Sequence, residues 1–563
     1  MSPTVIVNAE PNSPQSRERE TPAPGATERA NPVESWLEKH LDAVALGVVA
    51  AGFIWRMVVA GRSYFNPDEL LHYLMINQPS AWLAYQASLT NAHPPLIYAF
   101  LYLLHFLSRS EWVLRLPSVI AGTALCWALY KWIGTILGKA AGLIGLLVVT
   151  FCPAIISLSA EVREYALLLF CMTTAMYFLE RAFQEKSVAK TWGFSGFLYL
   201  AILSHYSAAF FALAIGIYAL ARIADDIPPR KVMIAWASGQ AGALAIYAFL
   251  YVTQISKLKN SIEVWGAGYD ESYFRPDRVS LFTFTRIHTS NIFLFLFGQR
   301  QISQAMLLFF IAGLAFLFFR DLLSGPQKPG PRRLGILFFL PFLAVWGASI
   351  ATIYPYVGTR HTVFLAPFAI AAISFFLAAV SGQKLWAGLL MAVLLMGVSN
   401  ASGKAMETGI PKENQSRALM AATMNYIHQS VPQGDVILAD YESSVTLAYY
   451  LCGSAGAIPN EAYRGDIGRY ECAGYTVLQP PVWKMIPQNL QLVFKRAAQV
   501  HGIKPGARVW VFQAGWGETY ADALPNGVPA TGCGSPKGFG ANIAITPFVV
   551  GPDLLPVSPL TGC

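Results

Sequence analysis

The stretch LDAVALGVVAAGFIWRMVVA at residues 41–60, followed three residues later by YFNPDELLHY at 64–73, decides the fold. A run of about 20 mostly apolar residues is long enough to cross the bilayer core as a helix. Asp68 and Glu69, two adjacent carboxylates, then stand at the mouth of that span. The whole chain has the same character: 55% of its 563 residues are hydrophobic and 13% charged, with a mean hydropathy of +0.44. That balance excludes an ordinary soluble domain and identifies an integral membrane protein. The apolar runs lack period-2 alternation, which argues for spanning helices and against a barrel. A net charge of +8 is accounted for by Lys and Arg flanking the spans, so nucleic acid is not an expected partner.

Residues 1–35 are rich in Pro, Glu, Arg, Ser and Thr and lack the apolar core of a secretory signal, so a disordered cytoplasmic tail is expected there. Candidate spans lie near 41–60, 112–134, 140–158, 165–183, 191–204, 207–223, 232–254, 303–322, 334–353, 363–380 and 385–399, about eleven in all. With the N-terminus cytoplasmic, one set of turns collects Lys131 and Lys139, Arg181 with Lys186 and Lys190, Arg222 with Arg230 and Lys231, and Arg320 with Lys328, Arg332 and Arg333. This threading obeys the positive-inside rule. It also requires the short apolar run LIYAFLYLLHFL (96–107) to lie on the outer surface, within a long first outer loop of about 61–111.

An odd number of spans puts residues 401–563 outside, in the periplasm or the extracellular space. There DVILAD, TVLQ, ARVWVFQAG and NIAITPFVV read as strands, while SSVTLAYYLCG and WKMIPQNLQLVFKRAAQVHG read as helices, giving a soluble α/β domain. Cys452, Cys472, Cys533 and Cys563 all fall in it, and four cysteines in an oxidising compartment allow three connectivities. Nearness in sequence favours Cys452–Cys472 and Cys533–Cys563. No cysteine spacing suits a zinc site, and no glycine-rich phosphate loop occurs.

The threading brings polar groups from five outer loops to one side: Asp68, Glu69 and His72; His93 before two prolines; Glu161, Arg163, Glu164 and Tyr165; His205 and Tyr206; and Arg360 with His361. Singly, each has an ordinary reading as a solvated loop residue, an interfacial anchor or a snorkelling cation. Together they suit transfer from a lipid-linked phosphate donor, a carboxylate deprotonating the attacking hydroxyl and guanidinium groups holding the departing phosphate.

In this order, DE in a first outer loop, HPPL opening a surface helix, SEWVLRLPSVIAG entering the second span, REY after the third, HY between the fifth and sixth and TRH before an LAPF span resemble the GT-C superfamily of polytopic glycosyltransferases. More narrowly, they resemble the branch of RgtA/B/C/D-like proteins, aminoarabinose transferases and protein O-mannosyltransferases, over roughly residues 35–400. The resemblance implies a GT-C-like transmembrane catalytic domain at 36–400 and inverting transfer of a sugar from a polyprenyl-phosphate-sugar donor lipid to a glycan, lipid or protein acceptor at the outer face of the plasma (bacterial inner) membrane. Asp68 then matches the catalytic base and Glu69 its partner. His93, Arg163, Tyr165, His205, Tyr206, Arg360 and His361 are implied in binding donor phosphate and sugar, Arg360 as the phosphate clamp. His361 departs from the commoner Arg-Tyr pattern. No cofactor is expected. A divalent metal is not favoured either, because one DE pair is a thin ligand set, although oligosaccharyl transferases of the superfamily use one. The competing class is a secondary transporter or lipid-linked-glycan flippase, which should place paired charges or broken helices near mid-membrane. A scaffold reading leaves the loop constellation idle.

Overall fold

The computed structural model describes residues 32–257, 271–324, 331–382, 384–401, 416–453, 467–482, 485, 487–515, 537–539 and 543–557. Most of the expected tail, residues 1–31, lies outside these. Its last residues are not tail-like, because helix α1 (Pro32–Lys39) begins at Pro32, a residue pre-set for the first helical position.

The chain continues as α2 (Leu41–Arg62), then three short helices α3 (Pro67–Ile76), α4 (Ala81–Ser88) and α5 (Leu96–Leu104). Long helices follow: α6 (Glu111–Leu137), α7 (Lys139–Phe151) with α8 (Pro153–Ser159), α9 (Tyr165–Glu185), α10 (Val188–Ser204), α11 (Ala208–Asp225) and α12 (Arg230–Leu250), the last running into a π-helical turn at Tyr251–Ile255. Then come α13 (Leu281–Phe297), α14 (Arg300–Ser324), α15 (Pro331–Ile350), a 3-10 turn at Arg360–Leu365 leading into α16 (Ala366–Val380), and α17 (Leu385–Ala401). Among the described residues eight helices are long and apolar enough to cross a membrane, or nine if the bent pair α7 and α8 is one span. The further two spans expected from sequence correspond to α10 and α17, each of 17 residues. Helix α5 has 9 residues, about 14 Å of rise, so it cannot cross.

Helix α13 was not anticipated as an element. Trp346 Nε1, near the C-terminal end of α15, donates to Thr285 Oγ1 at 2.9 Å. Ser399 Oγ, near the C-terminal end of α17, donates to the Phe297 carbonyl at 2.5 Å. Both ends of α13 therefore lie at one end of the bundle.

The two ends of the bundle differ chemically. At one, ion pairs join Lys131 to Asp42 at 3.0 Å, Lys186 to Asp226 at 3.6 Å, and Arg333 to Asp225. These cations come from the basic turns noted in the sequence. The other end carries α3–α5 and the C-terminal α/β unit. Phe65, Leu70, Tyr73 and Ile76 pack there with Ile97, Tyr98 and Leu101 around Leu114 and Val162, closing a small core beneath Val445 of that unit. Phe100, Leu103, Phe106 and Leu107 remain exposed along α5 and the turn after it, as suits helices that lie in the interface.

The α/β unit contains α18 (Arg417–Ser430), β1 (Val436–Ala439), α19 (Tyr441–Tyr450), β2 (Gly468–Cys472), β3 (Tyr475–Gln479), α20 (Pro487–Val500), β4 (Arg508–Ala514), β5 (Lys537–Gly538), β6 (Ile543–Val550) and β7 (Pro556–Val557). Its sheet runs β2-β3-β1-β4-β6-β5, with β7 on β6. Strand β1 pairs in parallel with β3 and β4, and the remaining pairs are antiparallel. Strand alternation sorts the core. Ile437 and Ala439 pack with Met424, Ile427 and Leu447 on the α18–α19 face, whereas Leu438 packs with Val493, Phe494 and Ala497 of α20 on the other. Cys452 and Cys472 form a disulfide. Cys533 and Cys563 lie outside the described residues.

Candidate active site

Helix α3 begins with a capping box. Asn66 Oδ1 accepts from Glu69 N at 3.0 Å, and Asn66 N donates to Glu69 Oε2 at 3.1 Å, with Pro67 at the first helical position. The cap fixes where Asp68 sits. Its Oδ2 lies 2.9 Å from Arg163 Nη1 and 2.7 Å from Arg360 Nη1. Residues 68, 163 and 360, far apart in sequence, thus meet at one oxygen. Burial alone would raise the Asp68 pKa, but the two guanidinium groups outweigh it and hold the carboxyl well below the usual carboxylate range.

Glu69 faces the other way. Its carboxylate receives a two-point bond from Arg115, Nε to Oε1 at 2.8 Å and Nη2 to Oε2 at 2.7 Å, and a third bond from Val162 N at 2.8 Å. Arg115 also donates to the carbonyls of Ala60, Ser63 and Tyr64. This buried pair welds the entrance of α3 to α6 and to the loop that carries Arg163. It satisfies the condition for a buried charge: paired, with its remaining hydrogen-bonding capacity filled.

Behind Asp68 lies an imidazole–carboxylate cluster. Glu164 is buried, its Oε2 3.2 Å from His72 Nε2 and its Oε1 3.1 Å from His93 Nδ1. His72 Nδ1 also meets the Asp68 carbonyl at 2.8 Å. Burial pushes the His93 pKa down to about 3 and the His205 pKa to about 4, with Glu164 opposing in both cases, so both rings are neutral at neutral pH. Despite the same burial, Glu164 is held well below the ordinary glutamate range by His93, His72 and Arg163. Glu161 differs: burial and the nearby Glu69 charge raise it to about 7.

Of the other expected residues, Tyr165 lies beside this cluster. Its hydroxyl accepts from Arg163 Nη2 at 3.4 Å, and its ring centroid is 5.2 Å from that of His205. His361 follows Arg360, and its carbonyl accepts from Tyr354 at 2.8 Å. Tyr206 donates instead to Gln254 Oε1 at 2.5 Å, and Gln254 Nε2 donates to the carbonyls of Asn91 at 2.6 Å and His93 at 2.9 Å. Tyr206 thereby steadies the His93 loop through the π-helical turn. Arg115 and Gln254 were missed as site residues, and Glu164, gathered with the outer-loop polar groups, was assigned no role of its own. Arg115 and Glu164 stand in the motifs SEWVLRLPSVIAG and SAEVREYALL, where the pattern gives no partner; Gln254 carries no signal in the sequence.

Among the described residues His93, Glu164 and His205 also form a group whose donor atoms all lie within 4.8 Å of one another, a nitrogen–oxygen set that a zinc-like ion accepts. Ser207 N donates to His205 Nδ1 at 3.1 Å, which places the ring proton on Nε2. A metal there would have to displace that proton or that bond.

A multi-span bundle carries surface helices at one end and an acid held between two arginines beneath an α/β unit, and its overall fold is similar to that of polytopic membrane glycosyltransferases of the GT-C superfamily. The segment 92–252 matches the family described as dolichyl-phosphate-mannose-protein mannosyltransferase. Among solved structures the chain is similar to ArnT from Cupriavidus metallidurans bound to undecaprenyl phosphate, at 13% identity and a TM-score of 0.51 over 94% of this chain and 99% of that one. It also matches the Archaeoglobus fulgidus oligosaccharyltransferase complexed with zinc and sulfate, at 12% identity and a TM-score of 0.42 over 71% of this chain. The chain spans only 61% of that oligosaccharyltransferase. No curated protein sequence matches significantly.

Proposed function

We propose that the protein is an inverting glycosyltransferase that moves a sugar from a polyprenyl-phosphate donor to an acceptor hydroxyl at the outer face of the membrane. The observation that carries this reading is the meeting of Arg163 and Arg360 at Asp68 Oδ2. The matches to a dolichyl-phosphate-dependent family over 92–252 and to an undecaprenyl-phosphate-bound fold relative support the donor class.

In the proposed reaction the acceptor oxygen attacks the anomeric carbon while Asp68 takes its proton. The bond from that carbon to the phosphate oxygen breaks, and its electron pair leaves with the phosphate. With both guanidinium groups on it, Asp68 is a weak base. Arg360 is the more exposed of the two, at 22% against 3% for Arg163. Arriving phosphate draws Arg360 away, which frees a carboxylate lone pair and raises its basicity in the same step. Glu69, saturated by Arg115, positions the helix and does not react. The lateral helices let the isoprenoid stay in lipid while its head reaches the site.

The test is transfer by the purified, reconstituted protein from the lipid-linked sugar whose pool changes, by mass spectrometry, when the protein is removed. Asp68→Asn should lower turnover at least about 100-fold, whereas Arg360→Ala should chiefly weaken undecaprenyl phosphate binding. Full activity in Asp68→Asn would reject the base assignment.

A further inference from the structure

The segment that enters the Asp68 helix is gripped from the C-terminal unit. Ser63 forms an isolated backbone bridge with Ser416. Phe65 N donates to the Tyr450 hydroxyl at 2.7 Å, and that hydroxyl donates in turn to Glu111 Oε1 at the start of α6. Arg417, the first residue of α18, sets its Nε 2.6 Å from the other Glu111 oxygen. The Tyr449 ring packs 5.2 Å from Phe65 and 5.1 Å from Tyr73, so it touches α3 and its entrance together. On the inner side Arg115 donates to the carbonyls of Ser63 and Tyr64 at 2.9 and 3.0 Å. Held from both sides, residues 63–65 have little freedom left, and Asn66, the cap of α3, follows directly. Just beyond Tyr450, Cys452 is bonded to Cys472 on β2, which ties the end of α19 to the sheet.

We infer that the C-terminal unit serves as a positioning element for Asp68, with Tyr450 as its positioning residue. The hydroxyl of Tyr450 receives the Phe65 N–H and passes its own proton bond to Glu111, so one side chain links the soluble unit, the α3 entrance and the first turn of α6. Removing that hydroxyl leaves a buried backbone donor without its acceptor. The α3 entrance can then shift, and displacements near 1 Å are enough to cost a positioned catalytic group on the order of 100-fold. Tyr450 has no contact with the carboxylate itself and acts through Phe65 and the Asn66 cap. The kinetic arm of the test rests on the glycosyl-transfer reading; the exchange arm does not.

The experiment compares wild-type full-length protein in nanodiscs with Tyr450→Phe and with Tyr475→Phe. Tyr475 is a buried tyrosine of the same unit whose hydroxyl, among the described residues, bonds within that unit, to Ile427 and Val431 carbonyls at 3.2 and 3.3 Å. Hydrogen exchange of the 68–76 amides should quicken at least about tenfold in Tyr450→Phe and stay unchanged in Tyr475→Phe. In the transfer assay, kcat of Tyr450→Phe should fall about 10- to 100-fold with KM for donor within about threefold of wild type. Unchanged exchange in Tyr450→Phe, or equal quickening in both variants, overturns the inference. Quickened exchange without any measurable transfer in wild type upholds the positioning and rejects the glycosyltransferase. If Tyr450→Phe does not fold, Glu111→Ala, which removes the acceptor that orients the Tyr450 hydroxyl together with the Arg417 ion pair, is read the same way.

Discussion

Four carboxylates stand within one small region, and their surroundings give them different jobs. Asp68 is ionised under two arginines, Glu69 is spent on Arg115, Glu164 meets His72 and His93, and Glu161 is raised from the ordinary 4.5 to about 7. The folded state therefore holds the Glu161 proton more tightly than the unfolded chain does. That preference stabilises fully below the ordinary glutamate range and is lost as pH rises through about 7. Glu161→Gln fixes the neutral form. Relative to this variant, the wild type should lose stability on the order of 1–3 kcal/mol between about pH 5 and pH 8, read by thermal unfolding in detergent. A parallel pH dependence in both proteins would show that Glu161 does not titrate there. The DE pair itself was legible in the sequence because two acids after an apolar run demand an explanation. What separates Asp68 from Glu69 was not, since it depends on partners 46 residues away at Arg115 and still further at Arg163 and Arg360. Spacing along a chain does not say which way a side chain at the start of a helix turns.

At the scale of elements, hydropathy located the long spans because each must hide its backbone from lipid within one continuous apolar run. It passed over α13, whose LFTFTRIHTSNIFLFLF mixes Thr, Arg, His and Asn into the apolar residues, a composition suited to a helix lying laterally. It also gave no hint that the third span bends by 61° at Pro153, where Asn400 Nδ2 donates to the Phe151 carbonyl and Arg56 Nη1 lies 3.3 Å from that of Thr150. Those donors satisfy carbonyls that the break releases, which is how a broken span is tolerated inside a bundle. The packing of the long helices depends on small residues in the same way. A Cβ on Gly313 would fall 2.3 Å from the Ala372 carbonyl oxygen, where α14 and α16 cross, and backbone cannot step aside as a side chain can. Gly313→Ala should therefore destabilise the protein by about 1–3 kcal/mol. Thermal unfolding in detergent measures it, with Gly216→Ala as the neutral comparison because nothing lies within 4 Å of a Cβ there.

At the scale of the whole molecule, the two ends of the bundle set the functional geography. The cations at one end, Lys131, Lys186 and Arg333, pair with acids of neighbouring helices, while the acid–arginine meeting point lies at the other end under the α/β unit. If the basic end faces the cytoplasm, as the positive-inside rule requires, Asp68 and the C-terminal unit share the outer side. Lys504 is exposed in the C-terminal unit, and Lys231 is exposed at the start of α12 at the basic end. In intact cells, or in spheroplasts where an outer membrane blocks access, Lys504→Cys should react with a membrane-impermeant maleimide and Lys231→Cys should react only after the membrane is permeabilised. The three cysteines described in the spans are buried, so they contribute little background. Labelling of Lys231→Cys from outside, with Lys504→Cys protected, would invert the molecule and put Asp68 on the cytoplasmic side. The outer-face reaction would then fall, while the ion pairs, the Tyr450 grip and the fold itself would stand, because none of them depends on which leaflet is which.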